Sequence, residues 1–324
     1  MHFSRSVIVT GGTTGIGYQA ALTIARAHPD YLVIISSRSD EEDAATTINR
    51  TLGQSNTVYK RLDLSNSNDV RQYAKDWASG GNPPIQALVL NAGLQFPNEL
   101  KKTDEGLEAT FAINHVGHAL LFHLLAPQLA DQGRVVVTSS GTHDPAQKSG
   151  LPDAVYTSAE ELARPSAATA GNSGLQRYSS SKLANVLWAY ALHRHLQEIV
   201  PQKSLTVNAF DPGLVPGTML GREHPKFLLW IFNNLAVRAI PLLRFLLSTP
   251  NVHLAKDSGR RLARLAVGAD VSGVSGRYFE GEKEIKSSKD SYDEGKQEDL
   301  WNWTVKYLAN GNATELVRFQ RIIA

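Results

Sequence analysis

Six short apolar runs, residues 7–10, 32–36, 57–62, 85–90, 134–138 and 205–210, recur along the chain, most of them separated by stretches long enough for a helix. A strand buried on both faces reads as a continuous apolar run, rich in β-branched residues. Parallel neighbours need a long crossover, usually a helix. The rhythm therefore predicts an α/β fold, a doubly wound parallel sheet covered on both faces. No internal repeat, low-complexity tract or linker interrupts the 324 residues, so one domain over 1–324 is expected. A hydrophobic content of 42% is enough for its core.

Charge and cysteine narrow the function. The 33 basic residues nearly balance the 31 acidic ones, so nucleic acid is not an expected partner. Cysteine is absent, which excludes disulfides and thiolate metal sites. The N-terminus runs straight into the first apolar run, without the pattern of a signal peptide, and a cytoplasmic location is the expectation.

The first predicted strand ends in Thr10-Gly11-Gly12-Thr13-Thr14-Gly15-Ile16-Gly17, followed by a helix-like run. Glycines between strand and helix let the backbone approach a pyrophosphate, and the helix N-terminus then faces its charge. The second strand ends in Ser36-Ser37-Arg38, where an NAD site usually carries an acid. A guanidinium there suits a 2′-phosphate, so NADP(H) is the expected cofactor. Asp63-Leu64 follows the third strand, where a carboxylate can accept from an adenine amino group or simply start a turn. Asn91-Ala92-Gly93 follows the fourth strand, facing the ligand crevice of such a sheet or serving only as a turn.

Tyr178 and Lys182 open the apolar stretch that runs to Leu196. Their spacing of four puts both side chains on one face of a helix. An ammonium beside a phenol stabilises its anion and lowers its pKa. Such a tyrosine can give a proton to a developing alkoxide or take one from an alcohol.

Thr-Gly-x-x-x-Gly-x-Gly, Asn91-Ala92-Gly93, Ser139-Ser140, Tyr-x-x-x-Lys and Asp211-Pro212-Gly213 occur in the order seen in the short-chain dehydrogenase/reductase family, over about residues 6–218. The stretches 113–118 and 178–185, and more weakly 299–303, resemble its retinol dehydrogenase and light-dependent protochlorophyllide reductase branch. The resemblance implies a Rossmann-type fold and a role for each matched residue. Tyr178 is the general acid/base, and Lys182 lowers its pKa and holds the nicotinamide ribose. Ser140 binds the substrate carbonyl, and Asn114 anchors a water linking Lys182 to solvent. Pro212, Gly213, Val215 and Thr218 border the nicotinamide. Gly11, Thr13, Gly15, Ile16, Gly17, Ser37, Arg38, Asp63, Leu64, Asn91, Ala92 and Gly93 complete the expected cofactor contacts, and no metal is implied.

Ser140 and Tyr178 stand 38 positions apart, where many such reductases leave about a dozen. The intervening 141–177 is read as a flap facing the substrate, with a capping box at Ser158-Ala159-Glu160-Glu161 predicting a short helix. Residues 227–247 are strongly apolar, yet Asn233, Asn234, Arg238, Pro241 and Arg244 argue against a transmembrane span. Within 219–250, after the sixth strand, they read as a lid over a bulky apolar substrate or as ordinary core. The alternatives are a peripheral membrane contact or a homodimer interface. His115, His118 and His123 read as packing residues, and His193 and His195 as solvated ones. The expected function is an NADP(H)-dependent oxidoreductase interconverting a small-molecule ketone or aldehyde and its alcohol. Enone reduction, a non-redox reaction on the same fold and a non-catalytic NADP-binding sensor are the rival readings.

Overall fold

The computed structural model describes residues 3–218, 236–246 and 249–322. Eight strands form one sheet in the order β3-β2-β1-β4-β5-β6-β7-β8. They are β1 (Arg5–Thr10), β2 (Tyr31–Ser37), β3 (Thr57–Arg61), β4 (Ile85–Leu90), β5 (Leu129–Thr138), β6 (Thr206–Asp211), β7 (Arg277–Glu280) and β8 (Lys283–Ile285). All neighbours are parallel except β7 and β8. The doubly wound parallel sheet expected from the sequence is thus the fold.

Alternation along each strand divides the core between the two faces. Val7, Val9, Val33, Ile35, Ala87, Val89 and Val136 pack on one side with α1 (Gly15–Ala27), α2 (Ala44–Leu52) and helix Ala255–Val267. Ile8, Ile34, Leu88, Leu90, Val135 and Val137 face the other, against α3 (Ser67–Ser79), α5 (Gly117–Leu125), α7 (Gly174–Ile199) and helix Glu294–Ala309. A short α4 (Ala109–Phe111) and a π-helical turn, Ala112–Val116, lead into α5. The whole helical run Ala109–Gln128 is long and apolar enough to cross a membrane, but 89% of its most apolar window is buried within the fold.

The six predicted strands are all present. Two more, β7 and β8, were not expected. β7 has only Tyr278 and Phe279 between charged ends, and β8 is Lys-Glu-Ile at the sheet edge. Their apolar signal is too short to stand out. β5 also begins earlier than expected, at Leu129, because a register shift against β4 carries Asp131 and Gln132 out of the regular ladder.

The predicted short helix is α6 (Ala159–Ala163), capped by Ser158 Oγ accepting from Glu161 N at 3.2 Å. Asp299 anchors this part of 141–177, accepting from Tyr156 Oη at 2.7 Å and Ala159 N at 2.8 Å. Of the expected lid, residues 219–235, with Trp230, and 247–248 lie outside the described residues. The described helix Ile240–Leu246 leaves Phe245 80% and Leu246 65% exposed.

Gly117 packs where a side chain cannot: a Cβ there would meet the Leu64 carbonyl oxygen at 2.2 Å. Gly117→Ala must push α5 away from the loop after β3, and overpacking of this kind costs about 1–3 kcal/mol. Urea unfolding is expected to show that loss, whereas unchanged stability would mean the two elements separate freely.

Candidate active site

The strand order reverses between β1 and β4, and a doubly wound sheet binds its ligand at such a point, beyond the carboxyl ends of the strands. The loops after these two strands touch: Gly11, at φ +65°, lies so that a Cβ would be 3.0 Å from Ala92 Cα. At Gly17 a Cβ would strike the Gly11 carbonyl oxygen at 2.2 Å, so the turn closes only around glycine. Thr10 Oγ1 ties the loops together, accepting from Asn91 N at 2.9 Å and Ala92 N at 3.0 Å. The predicted Gly11, Gly15, Ile16, Gly17, Asn91, Ala92 and Gly93 therefore share one crevice floor.

Its adenosine end is also assembled. Thr13 Oγ1 donates to Ser37 Oγ at 3.0 Å, placing the glycine turn beside the end of β2. Arg38 follows, exposed and without a hydrogen bond or ion pair to any described residue. Asp63 is half-buried, and its Oδ1 accepts from Ser65 N at 3.0 Å and Ser65 Oγ at 2.6 Å. That is the turn-starting role, leaving Oδ2 as the atom available to an adenine. Leu64 is buried beneath it.

At the other end, α7 is pinned to the tip of β5. Lys182 Nζ donates to Thr138 O at 3.2 Å, and Asn185 Nδ2 to the same oxygen at 3.0 Å. Ser139 Oγ donates to Lys182 O at 2.8 Å. Tyr178 and Lys182 project from the same face, the ammonium 5.6 Å from the phenol ring centroid. Ser140 ends the strand and caps the turn Gly141–His143, its Oγ accepting from Thr142 N at 3.3 Å. Asn114, in the π-helical turn, is held by Leu94 N and O, each at 3.0 Å, and by Ser181 Oγ at 3.0 Å. Gly93 lies between Asn114 and Lys182: a Cβ on it would be 3.5 Å from Asn114 Oδ1 and 3.4 Å from Lys182 Nζ. All four predicted catalytic side chains thus converge.

The expected electrostatics need one correction. Burial pushes the Tyr178 phenol up from its ordinary pKa; the Ser140 hydroxyl opposes this and the Asp211 charge adds to it. Lys182 does not bring it down here, because its Nζ is bonded to Thr138 O rather than set at the phenol oxygen. Burial instead lowers Lys182 to about 8, against the pull of Asp211.

Pro212, Gly213, Val215 and Thr218 also reach the crevice. Thr218 Cγ2 would be 3.4 Å from a Cβ on Gly15, so the loop after β6 meets the glycine turn. Gly213, at φ +76°, is wedged against Asn251, whose Oδ1 would be 2.3 Å from a Cβ there. Asn251 Nδ2 donates to Asp211 Oδ2 at 2.9 Å, and Gly213 N to Asp211 Oδ1 at 2.9 Å. The sequence reading missed Asn251 as a support of this loop, and no local pattern marks it. It also assigned Asp211 no role; the buried carboxylate holds both Gly213 and Asn251.

The histidines divide. His115 Nε2 is 3.0 Å from Thr304 Oγ1, and His118 links Thr10 Oγ1 at 2.9 Å to Asn114 O at 3.1 Å. Burial lowers them to about 3 and about 4 respectively. His193 and His195 are not simply solvated as expected. His193 Nδ1 is 2.9 Å from Ser275 Oγ, and His195 stacks on Trp301 at 4.2 Å. Both lie where α7 turns towards neighbouring elements, a tertiary contact that helix periodicity does not reveal. A cavity of about 770 Å³ is lined by Tyr190, Tyr278 and Tyr292, none of them a predicted site residue.

These features define a nucleotide-binding oxidoreductase site. A sequence model of the short chain dehydrogenases matches residues 5–159. Polyprenol dehydrogenase of Homo sapiens is 30% identical over 306 residues, covering 92% of this chain and 83% of that protein. Retinol dehydrogenase 14 of Mus musculus is 30% identical over 314 residues, covering 93% and 85%. In fold, the chain resembles a blue fluorescent protein from a metagenomic library solved in complex with NADPH, with a TM-score of 0.61, 22% identity and coverage of 86% and 98%. The chain belongs to the short-chain dehydrogenase/reductase family. It is an oxidoreductase of the alcohol–carbonyl class that uses a nicotinamide cofactor.

The Lys182 charge is present below a pKa of about 8, and a cation in the crevice favours negative charge developing on a reacting oxygen. Carbonyl reduction is therefore expected to be level at lower pH and to fall as pH rises through about 8. A profile that stays level to pH 10 would place that proton elsewhere.

Proposed function

We propose that the chain is an NADP(H)-dependent enzyme that interconverts a carbonyl and an alcohol on a bulky apolar small molecule. The convergence of Tyr178, Ser140 and Lys182 at the tip of β5 carries the chemistry of this reading. Arg38 supports the choice of cofactor: it is exposed just past β2, unengaged by any described residue, and suited to a 2′-phosphate. The glycine cradle fits such a dinucleotide, since side chains at Gly11, Gly15 and Gly17 would fill or strain it. Two relatives carry the names of long apolar alcohols, polyprenol and retinol, and residues 227–247 of this chain are strongly apolar.

A bound reduced nicotinamide would supply the hydride that the carbonyl carbon receives. The chain does the rest. Ser140 donates to the carbonyl oxygen and fixes it next to Tyr178. Tyr178 gives its phenolic proton to that oxygen as the C–O bond gains its negative charge, which yields the alcohol. The burial-raised pKa keeps the phenol protonated and ready for reduction. Lys182, charged below about pH 8, adds positive charge to the crevice in which the substrate oxygen gains its negative charge. Asn91, Ala92 and Gly93 line the floor of the crevice, and the Pro212–Thr218 loop closes its far wall.

The test is cofactor consumption by the purified chain with long-chain apolar aldehydes and ketones, for NADPH and NADH. NADPH is expected to be preferred. Arg38→Ala should cost NADPH binding about 1.5–3 kcal/mol, the worth of a hydrogen bond to a charged group, and leave NADH unaffected. Equal losses for both cofactors would contradict the assignment.

A further inference from the structure

Behind Ser140 lies a fully buried imidazole that the chemistry above does not use. His143 is 0% exposed and closes the turn that Ser140 begins. Its Nδ1 is 2.7 Å from the Ser140 carbonyl oxygen, and its Nε2 accepts from Ser288 N at 3.0 Å. A carbonyl can only accept and an N–H can only donate, so the two partners fix one neutral tautomer, with the proton on Nδ1. Burial lowers the His143 pKa, which preserves that neutral form. The ring packs against Tyr278 with centroids 4.8 Å apart, so it cannot swing freely.

The contact joins parts of the chain that are distant in sequence. Ser288 belongs to the connection beyond β8, on the far side of β6 and β7 from Ser140. Ser140 would otherwise rest on a turn of three residues inside the long 141–177 insertion. On its other flank the turn meets Asp211: a Cβ on Gly141 would lie 3.1 Å from Asp211 Oδ2.

We propose that His143 is a positioning residue for the carbonyl–alcohol reaction, fixing the Ser140 backbone against the β7–β8 edge so that the serine hydroxyl points at the substrate oxygen. This rests on the functional reading above. His143 touches neither substrate nor cofactor; it acts through Ser140. The sequence signal is the Ser-x-x-His spacing after a strand, which lets a ring fold back onto the serine carbonyl.

Three substitutions separate positioning from packing. His143→Asn places an amide near the Nδ1 position, where its NH2 can donate to Ser140 O; His143→Gln places its amide near the Nε2 position, where its oxygen can accept from Ser288 N; His143→Phe keeps the ring without either bond. His143→Phe is expected to lower kcat about 10²-fold, the scale of a catalytic group displaced by an ångström. His143→Asn should recover most of that loss, His143→Gln little of it, and NADPH affinity should remain unchanged in all three. Nitrogen-15 imidazole spectra of the wild-type protein, with the His143 signal assigned by its loss in His143→Asn, should show a neutral ring protonated on Nδ1. A proton on Nε2, or kcat values that follow melting temperature with Gln equal to Asn, would overturn the proposal. The tautomer is read without substrate, so a wild-type chain that turns over no carbonyl would sink the functional reading while leaving the His143 contact decided by the spectra.

Discussion

The site depends on one joint, the grip of β5 on α7. A single carbonyl oxygen, that of Thr138, receives Lys182 Nζ and Asn185 Nδ2, and Ser139 Oγ returns a bond to Lys182 O. These groups are buried, so a broken bond would leave a polar group without water to replace it. That makes the helix register steep in energy. A shift of one residue would turn Tyr178 away from Ser140 and bring Ser179 to its place. The same contact that secures α7 also occupies the Lys182 ammonium, which is why the phenol responds to burial rather than to its neighbour.

Around that joint the crevice is assembled from ends of strands. The loops after β1 and β4 are drawn together by Thr10, and the loop after β6 reaches back to the glycine turn through Thr218. Each loop is short where it meets the ligand and is held from beneath by a buried polar side chain: Thr10, Asn114 or Asp211. Arg38 differs in having no hydrogen bond or ion pair to any described residue. A fixed floor with an unengaged cation at one end is what a phosphorylated dinucleotide would require.

Much of this was legible in the sequence because buried parallel strands leave continuous apolar runs and because tight turns leave glycines. The order of motifs marks the floor, Ser140 and the Tyr178–Lys182 face. What was hidden is tertiary. β7 and β8 are short and bordered by charge, so neither periodicity nor composition marks them. Asn251 supports Gly213 from nearly forty residues away. The ionisation of Tyr178 depends on how far water is excluded, and spacing along a helix carries no information about that. His195 reads as a surface residue until Trp301 is placed against it.

The central claim is that Ser140 and Tyr178 serve one substrate oxygen, held there by the β5–α7 joint. A double-mutant cycle in kcat/KM for carbonyl reduction tests it directly. Ser140→Ala, Tyr178→Phe and the double variant would be compared with NADPH saturating. The account predicts strong non-additivity, with the double variant scarcely slower than Tyr178→Phe alone. Losses that simply multiply would mean that the two hydroxyls act independently, and would contradict it.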